Sequence, residues 1–380
     1  MSGPSRIAAA LVASALLSAY LFLFLRAEST LTVAVLLACG VAAALSLRTK
    51  PLAPIARAVG ASRALPPFGL LGVVALALLL RDDAFSLYLV ARVLVIAVAC
   101  LGLHLQFGSA GVVNFAGAAF FGIGGYTAAV LGRGGGIPGA LVLLAGGAAA
   151  AVIGSVLILP VLRTRGHYAA LITVAFGILF RTFLEVNDTL GGPQGLKLAG
   201  LDIFGLRLGD DLALGPLEGS FLVKYVLAAL VMLALGFALV LRIERSFVGL
   251  ALDAVRLDET AAAAFGLDVA RWKILAFTLG NFLTGLAGAL SAYVVGFIAP
   301  NNFTFSESLI FVSIILLGGI GNAAGVPLAA AIVVLLPEKF QLIQEYRYLL
   351  YAGLVMAVLL FRPAGLLPRR LRRWEAGGAA

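Results

Sequence analysis

Apolar positions in this chain fall into long runs, without the strict alternation of half-buried strands. The runs cover about 7–25, 30–47, 68–81, 85–103, 115–131, 139–161, 168–186, 221–241, 272–295, 306–320, 323–337 and 347–361, separated by short polar or basic connections. A helix needs roughly 20 apolar residues to cross the hydrocarbon core of a bilayer, and most of these runs approach that length. The pattern predicts an all-α fold, a polytopic transmembrane helix bundle of about 10–12 spans. Around 104–121, where polar residues and glycines interrupt the apolar pattern, it predicts a re-entrant or broken helix.

The first run follows Arg6 as the apolar part of a secretory leader would. A second run begins almost at once at Leu31, so the first is read as an uncleaved span. These two spans and the basic, proline-containing linker that follows make residues 1–67 an N-terminal extension; residues 68–368 form the core, and 369–380 a basic tail.

Composition narrows the class. Apolar residues make up 62% of the chain and charged residues 12%, about half the charged share of an ordinary soluble domain. The 45 glycines suit a bundle in lipid, where small residues let helix backbones approach closely. A net charge of +9 would draw nucleic acid if it were clustered, but here it follows the loops. With the N-terminus inside and the spans alternating, 17 Lys and Arg fall on the inner side and 8 on the outer, with Arg92 and Arg181 inside spans. That bias predicts both termini on the cytoplasmic side. Cys39 and Cys100 lie within runs, which argues against a disulfide framework. His104 and His167 are the only histidines, too few and too far apart for a metal site or a Ser/His/Asp or Cys/His set. No G-x-x-x-x-G-K-[ST] occurs, so the chain binds no ATP in the manner of a P-loop protein. These absences predict a non-catalytic membrane subunit that binds no nucleic acid, metal or cofactor.

Two loops stand out. The longer, Asn187–Ser220, contains LGGPQGL, whose Gly-Gly-Pro reads as turns. The other, 242–272, carries DETAAAAFGLD (258–268) among basic residues. Asp258 can cap a short helix, Glu259 meets the positive end of its dipole, and Gly266 can end it. The alanines between leave a smooth surface that another protein can approach closely; a solvated connector is the alternative.

Polar residues inside spans are the other candidates, because an ionisable group in the bilayer tends to face a cavity or a partner. Arg181 and Glu185 form an i,i+4 pair, either structural or facing a substrate. Asn114, Phe115 and Tyr126, among Gly122, Gly124 and Gly125, can break a helix and expose backbone to a passing polar solute, or simply pack closely. Arg92 and His104 are read as packing or snorkelling residues. Gly321 and Gly325 in GNAAG have the spacing of a helix-packing pair.

The spacing Glu259-x-Ala261-Ala262-x-x-x-Gly266 resembles the E-A-A-x-x-x-G cytoplasmic loop of ABC importer permeases. The blocks 101–131, 163–181, 189–196, 285–305, 315–331 and 359–368 resemble, in the same order, branched-chain amino acid permeases of the LivM type. Gly117 stands where family members often carry His or Gln, Ile178 where they often carry an acid, and the two N-terminal spans lie outside the usual core. The resemblance implies an ABC importer permease in the bacterial inner membrane. Its loop would couple to two cytoplasmic ATP-binding subunits through Glu259, Ala261, Ala262 and Gly266. It further implies a LivH-type permease partner, a periplasmic substrate-binding protein, and ATP and Mg held only by the ATPase subunits. Asn114, Phe115, Tyr126 and Arg181 are the candidates for the translocation path. Urea, short amides or aromatic acids are alternative substrates; an ion-coupled secondary transporter is disfavoured by the few acids within the spans.

Overall fold

A computed structural model of the chain describes residues 3–27, a few positions between 32 and 39, most of 65–339, and a few positions between 346 and 367. The runs at 30–47 and 347–361 therefore lie largely outside the described residues.

The described helices are α1 (Gly3–Arg26), α2 (Leu65–Leu79), α3 (Ala84–His104), α4 (Gly117–Gly132), α5 (Gly139–Leu162), α6 (His167–Val186), α7 (Leu222–Glu244), α8 (Phe247–Leu257), α9 (Glu259–Ala264), α10 (Val269–Val295), α11 (Phe305–Gly318) and α12 (Gly325–Lys339). Among the described residues, six helical stretches are long and apolar enough to cross a bilayer: Ala84–Ser109, Gly139–Leu162, Tyr168–Val186, Leu222–Glu244, Val269–Val295 and Pro300–Gly318. α4 is shorter, as the break before it requires.

The helices alternate in direction, so their connections sort to two ends. At one end, Lys339 Nζ donates to the carbonyls of Leu25 and Ala27, and Ser220 N donates to Arg81 O. Residues 196–197 pair antiparallel with 297–298 at that same end, in the register Leu196↔Ile298 and Lys197↔Phe297. This is the hairpin end. The Asn187–Ser220 connection adds two more antiparallel pairs, Asp202–Ile203 with Leu206–Arg207 and Leu212–Leu214 with Leu217–Gly219. The all-α expectation did not include these strands. They form because backbone outside the helices still needs partners, and tight turns bring short segments side by side. The Gly-Gly-Pro turn is present, with Gly191 at φ +85° and two short 3-10 turns beside it.

At the opposite end lie α8, α9, the 319–324 turn and the last described residues, where Leu366 N donates to Leu317 O. GNAAG occupies that turn. Gly321 has φ +90°, Asn322 Oδ1 accepts from Ala324 N at 3.1 Å, and only Gly325 enters α12. The spacing therefore shapes a turn, and the close packing is between Gly325 and Gly318.

α10 is the centre of the bundle, packed against α3, α4 and α5. Its glycines bring the backbones together: a Cβ placed on Gly124 of α4 would lie 1.8 Å from the carbonyl oxygen of Gly285 on α10. Lipid tails are as apolar as leucine, so the association draws on this close packing and on interhelical hydrogen bonds. α3 begins at Asp83, whose side chain accepts from Ser86 N at 3.1 Å. Partial burial raises the Asp83 carboxyl, but the hydrogen bonds from Ser86 and Phe85 and the nearby Lys339 charge outweigh it and hold the group below its ordinary value.

Candidate functional site

The 242–272 loop folds as two helices, where sequence reading anticipated one. In α8, Ala251, Leu252 and Val255 turn inward, while Phe247 (68% exposed), Leu250 and Leu257 (76%) form an apolar outer edge. The inward spacing of three to four residues was the available signal. Phe265, 89% exposed, extends the edge beyond α9. Together these residues border an open apolar groove of about 400 Å³ that also touches Ala261, Ala262 and Leu267.

α9 is built as its sequence reads. Asp258 Oδ1 accepts from Thr260 N at 2.8 Å and Ala261 N at 3.0 Å, satisfying two of the first-turn donors. At the other end Gly266 adopts φ +84°, Gly266 N donates to Ala263 O (2.9 Å), and Leu267 N donates to Ala262 O (3.0 Å). This paired reversal of donors is a Schellman cap, and it needs the left-handed backbone that glycine tolerates. Ala262 faces inward, whereas Ala261, Ala263 and Ala264 are exposed. Glu259 pairs with Lys273 of α10, so the small helix is tied to the central one. Such an exposed pair contributes little stability but fixes an orientation.

The break predicted around 104–121 is present. α3 passes into a π-helical turn, Leu105–Ser109, and the chain then runs non-helically to Ala116, with Gly111 at φ +69°. Backbone N–H groups freed inside a bilayer must find other acceptors. Phe115 N donates to Thr173 Oγ1 of α6 (3.0 Å), Ala116 N to Asn114 Oδ1 (2.9 Å), and Ala118 N to Ser308 Oγ of α11 (3.0 Å). Asn114 is fully buried, and its Nδ2 donates to Gln106 Oε1 (2.8 Å) and Asn281 Oδ1 (3.2 Å). Gln106 Nε2 donates in turn to Asn281 Oδ1 (2.9 Å) and Phe277 O (3.2 Å). Asn281 sits at the middle of α10, so the break is clamped to the core of the bundle. Phe115 is only half buried and packs near Phe107 and Phe305.

The other two path candidates lie nearer the hairpin end. Arg181 Nε donates to Glu185 Oε1 (2.8 Å), and Arg181 Nη2 to Asn301 Oδ1 (3.2 Å). Tyr126 is buried against Phe303, with ring centroids 5.9 Å apart. The four candidates thus form two pairs, Asn114 with Phe115 at the break, and Tyr126 with Arg181 meeting the 301–303 loop. Sequence reading missed the partners of the other intramembrane polar groups. Arg92 pairs with Glu338 of α12 at 2.8 Å, and buried His104 lies 3.3 Å from Glu244 of α7 through Nε2. These partners are 246 and 140 residues away in the chain, so spacing carried no sign of them.

Multiple apolar spans, a broken helix clamped at the bundle core and a capped helical loop at one end define a multi-pass membrane permease. The chain belongs to the family described as branched-chain amino acid transport system / permease component, whose model matches residues 85–359. It is 35% identical over 282 residues to the high-affinity branched-chain amino acid transport system permease protein LivM of Salmonella typhimurium and to that of Escherichia coli K12. Each match covers 70% of this chain and 66% of the relative, so the chain spans about two thirds of the curated relatives' length. A probable branched-chain amino acid transport permease protein LivM of Methanocaldococcus jannaschii is 27% identical over 239 residues, 58% of this chain and 65% of that protein. No solved structure matches the chain.

Proposed function

We propose that this chain is the permease subunit of a bacterial ABC importer for branched-chain or related amino acids. It resides in the inner membrane with both termini and the α8–α9 end in the cytoplasm. In this reading the chain supplies a path and a lever, and hydrolysis of ATP with Mg takes place on two ATP-binding subunits. A LivH-type permease completes the membrane part, and a periplasmic binding protein delivers substrate at the hairpin end. The chain performs no catalysis and holds no cofactor of its own. Asn114, Phe115, Tyr126 and Arg181 border the path.

The observation that carries the reading is α9. A six-residue helix is too short to persist in water unaided, yet it is capped at both ends, presents an alanine surface, and is tied to the central helix through Glu259 and Lys273. A push on Glu259, Ala261 or the Gly266 turn therefore reaches α10, which packs on three other helices. The test is co-purification with the ATP-binding subunits and measurement of substrate-stimulated ATP turnover for wild type and Glu259→Arg. Loss of subunit recovery or of stimulation is expected; unchanged assembly and turnover would refute the coupling role.

A further inference from the structure

A cavity of about 370 Å³ opens near the hairpin end, between the first turns of α3, the start of α4, the last turns of α10 and the start of α11. Its volume falls at the small end of ligand sites, which run about 300–1,000 Å³. Both signs of charge line it, with Arg92 on α3 and Glu307 on α11. Ser291, Asn301 and Asn302 add neutral polar groups, and Ile96, Phe121 and Val294 are among its apolar walls.

The geometry points to a binding site for a small zwitterionic α-amino acid, a proposal that rests on the transport reading above and assigns it a place. The guanidinium of Arg92 is held by Glu338 through Nη1 at 2.8 Å. A guanidinium has five N–H donors, so a side chain oriented by one carboxylate can present the others to a ligand carboxylate. The Glu307 carboxylate, with about four acceptor positions, would receive the ammonium group. The apolar walls then take an aliphatic side chain. A zwitterion adds no net charge beside an Arg92 already paired with Glu338, and it offers a group of opposite sign to each of Arg92 and Glu307. The cavity also adjoins the Arg181 and Tyr126 pair, because Asn301 and Phe303 belong to its lining and contact those two residues.

The substitutions for a test can leave the fold in place. Glu307 stands three residues after Thr304, whose Oγ1 accepts from Glu307 N at 3.4 Å, the arrangement of a capping box that serves equally with Gln. Glu307→Gln therefore removes the charge and retains the helix start. Ser291→Cys places a thiol of similar size in the cavity lining, and Cys39→Ser removes the exposed native thiol while Cys100 stays buried.

In the assembled importer in proteoliposomes, modification of the introduced thiol by a small methanethiosulfonate is followed with leucine, leucinamide, 4-methylpentanoate or urea present. Leucine is expected to slow modification. Leucinamide and 4-methylpentanoate, each missing one charged partner, should need about tenfold or more higher concentration for the same protection, and Glu307→Gln should raise the half-protecting leucine concentration about 10- to 100-fold. A modification rate unaffected by leucine, in a complex that still imports leucine, would overturn this site and leave the transport reading standing. Equal protection by all four compounds would overturn recognition by paired charges. Absence of leucine uptake by the wild-type complex would overturn both readings.

Discussion

Asn114→Leu separates a clamp from a solute contact. The side chain is fully buried and makes three hydrogen bonds, two as donor to Gln106 and Asn281 and one as acceptor from Ala116 N. Leucine has similar size, so cavity formation adds little. Each lost bond is worth about 1 kcal/mol net, and the stranded Ala116 N–H adds about 1–3 kcal/mol because no water replaces its acceptor. The sum is about 4–6 kcal/mol. At about 2 °C per kcal/mol for a chain of this size, the thermal transition of the purified protein in mild detergent should fall by about 8–12 °C. Hydrogen exchange should quicken over 105–118 before it does over α10, because the local clamp is what has been removed. A transition within about 1 °C of wild type, with unchanged exchange, would refute the clamp. Transport lost without any loss of stability would instead assign Asn114 to the solute path.

Two glycines with opposite surroundings test the packing argument together. Gly124→Leu forces a side chain into the Gly285 backbone, 1.8 Å from the position of its Cβ, and should abolish recovery of folded protein; Gly177→Leu on α6 meets nothing within 4 Å and should leave recovery unchanged, as fluorescence-detected size exclusion would show. Asp83 provides a pH test. Its folded pKa is held below the unfolded value of about 3.9, so its charge contributes stability that is fully present above that value and is lost as pH falls through the folded pKa. Asp83→Asn, which keeps a capping oxygen, should be less stable than wild type near pH 6, and the gap should close on acidification; a gap constant with pH would refute the charge contribution.

Much of α9 was legible locally, because capping is a short-range interaction: Asp258 accepts from the N–H groups of Thr260 and Ala261, and the Gly266 turn closes on the carbonyls of Ala262 and Ala263. The same holds for the break near 104–121, where polar residues and glycines interrupt an apolar run. Arg181 with Glu185 was also legible, as one helical turn separates them. By contrast, the partners of Arg92 and His104, the strand pair joining 196–197 to 297–298, and the cavity between α3, α10 and α11 join positions many residues apart. α8 was missed for a subtler reason: its apolar face is half spent on the bundle and half left outside, so neither a span nor a soluble helix matched its pattern.

The sequence by itself determined that the chain is a bundle of apolar helices, where most of them start and stop, and that a capped helix sits in one loop. These properties depend on hydrocarbon thickness and on hydrogen bonds a few residues long. Only the tertiary structure decided which buried polar groups meet. In a low-dielectric interior each donor must find an acceptor, and the acceptors for Phe115 and Ala118 are supplied by Thr173 of α6 and Ser308 of α11. Such pairings are set by how helices cross, and no spacing along the chain records that.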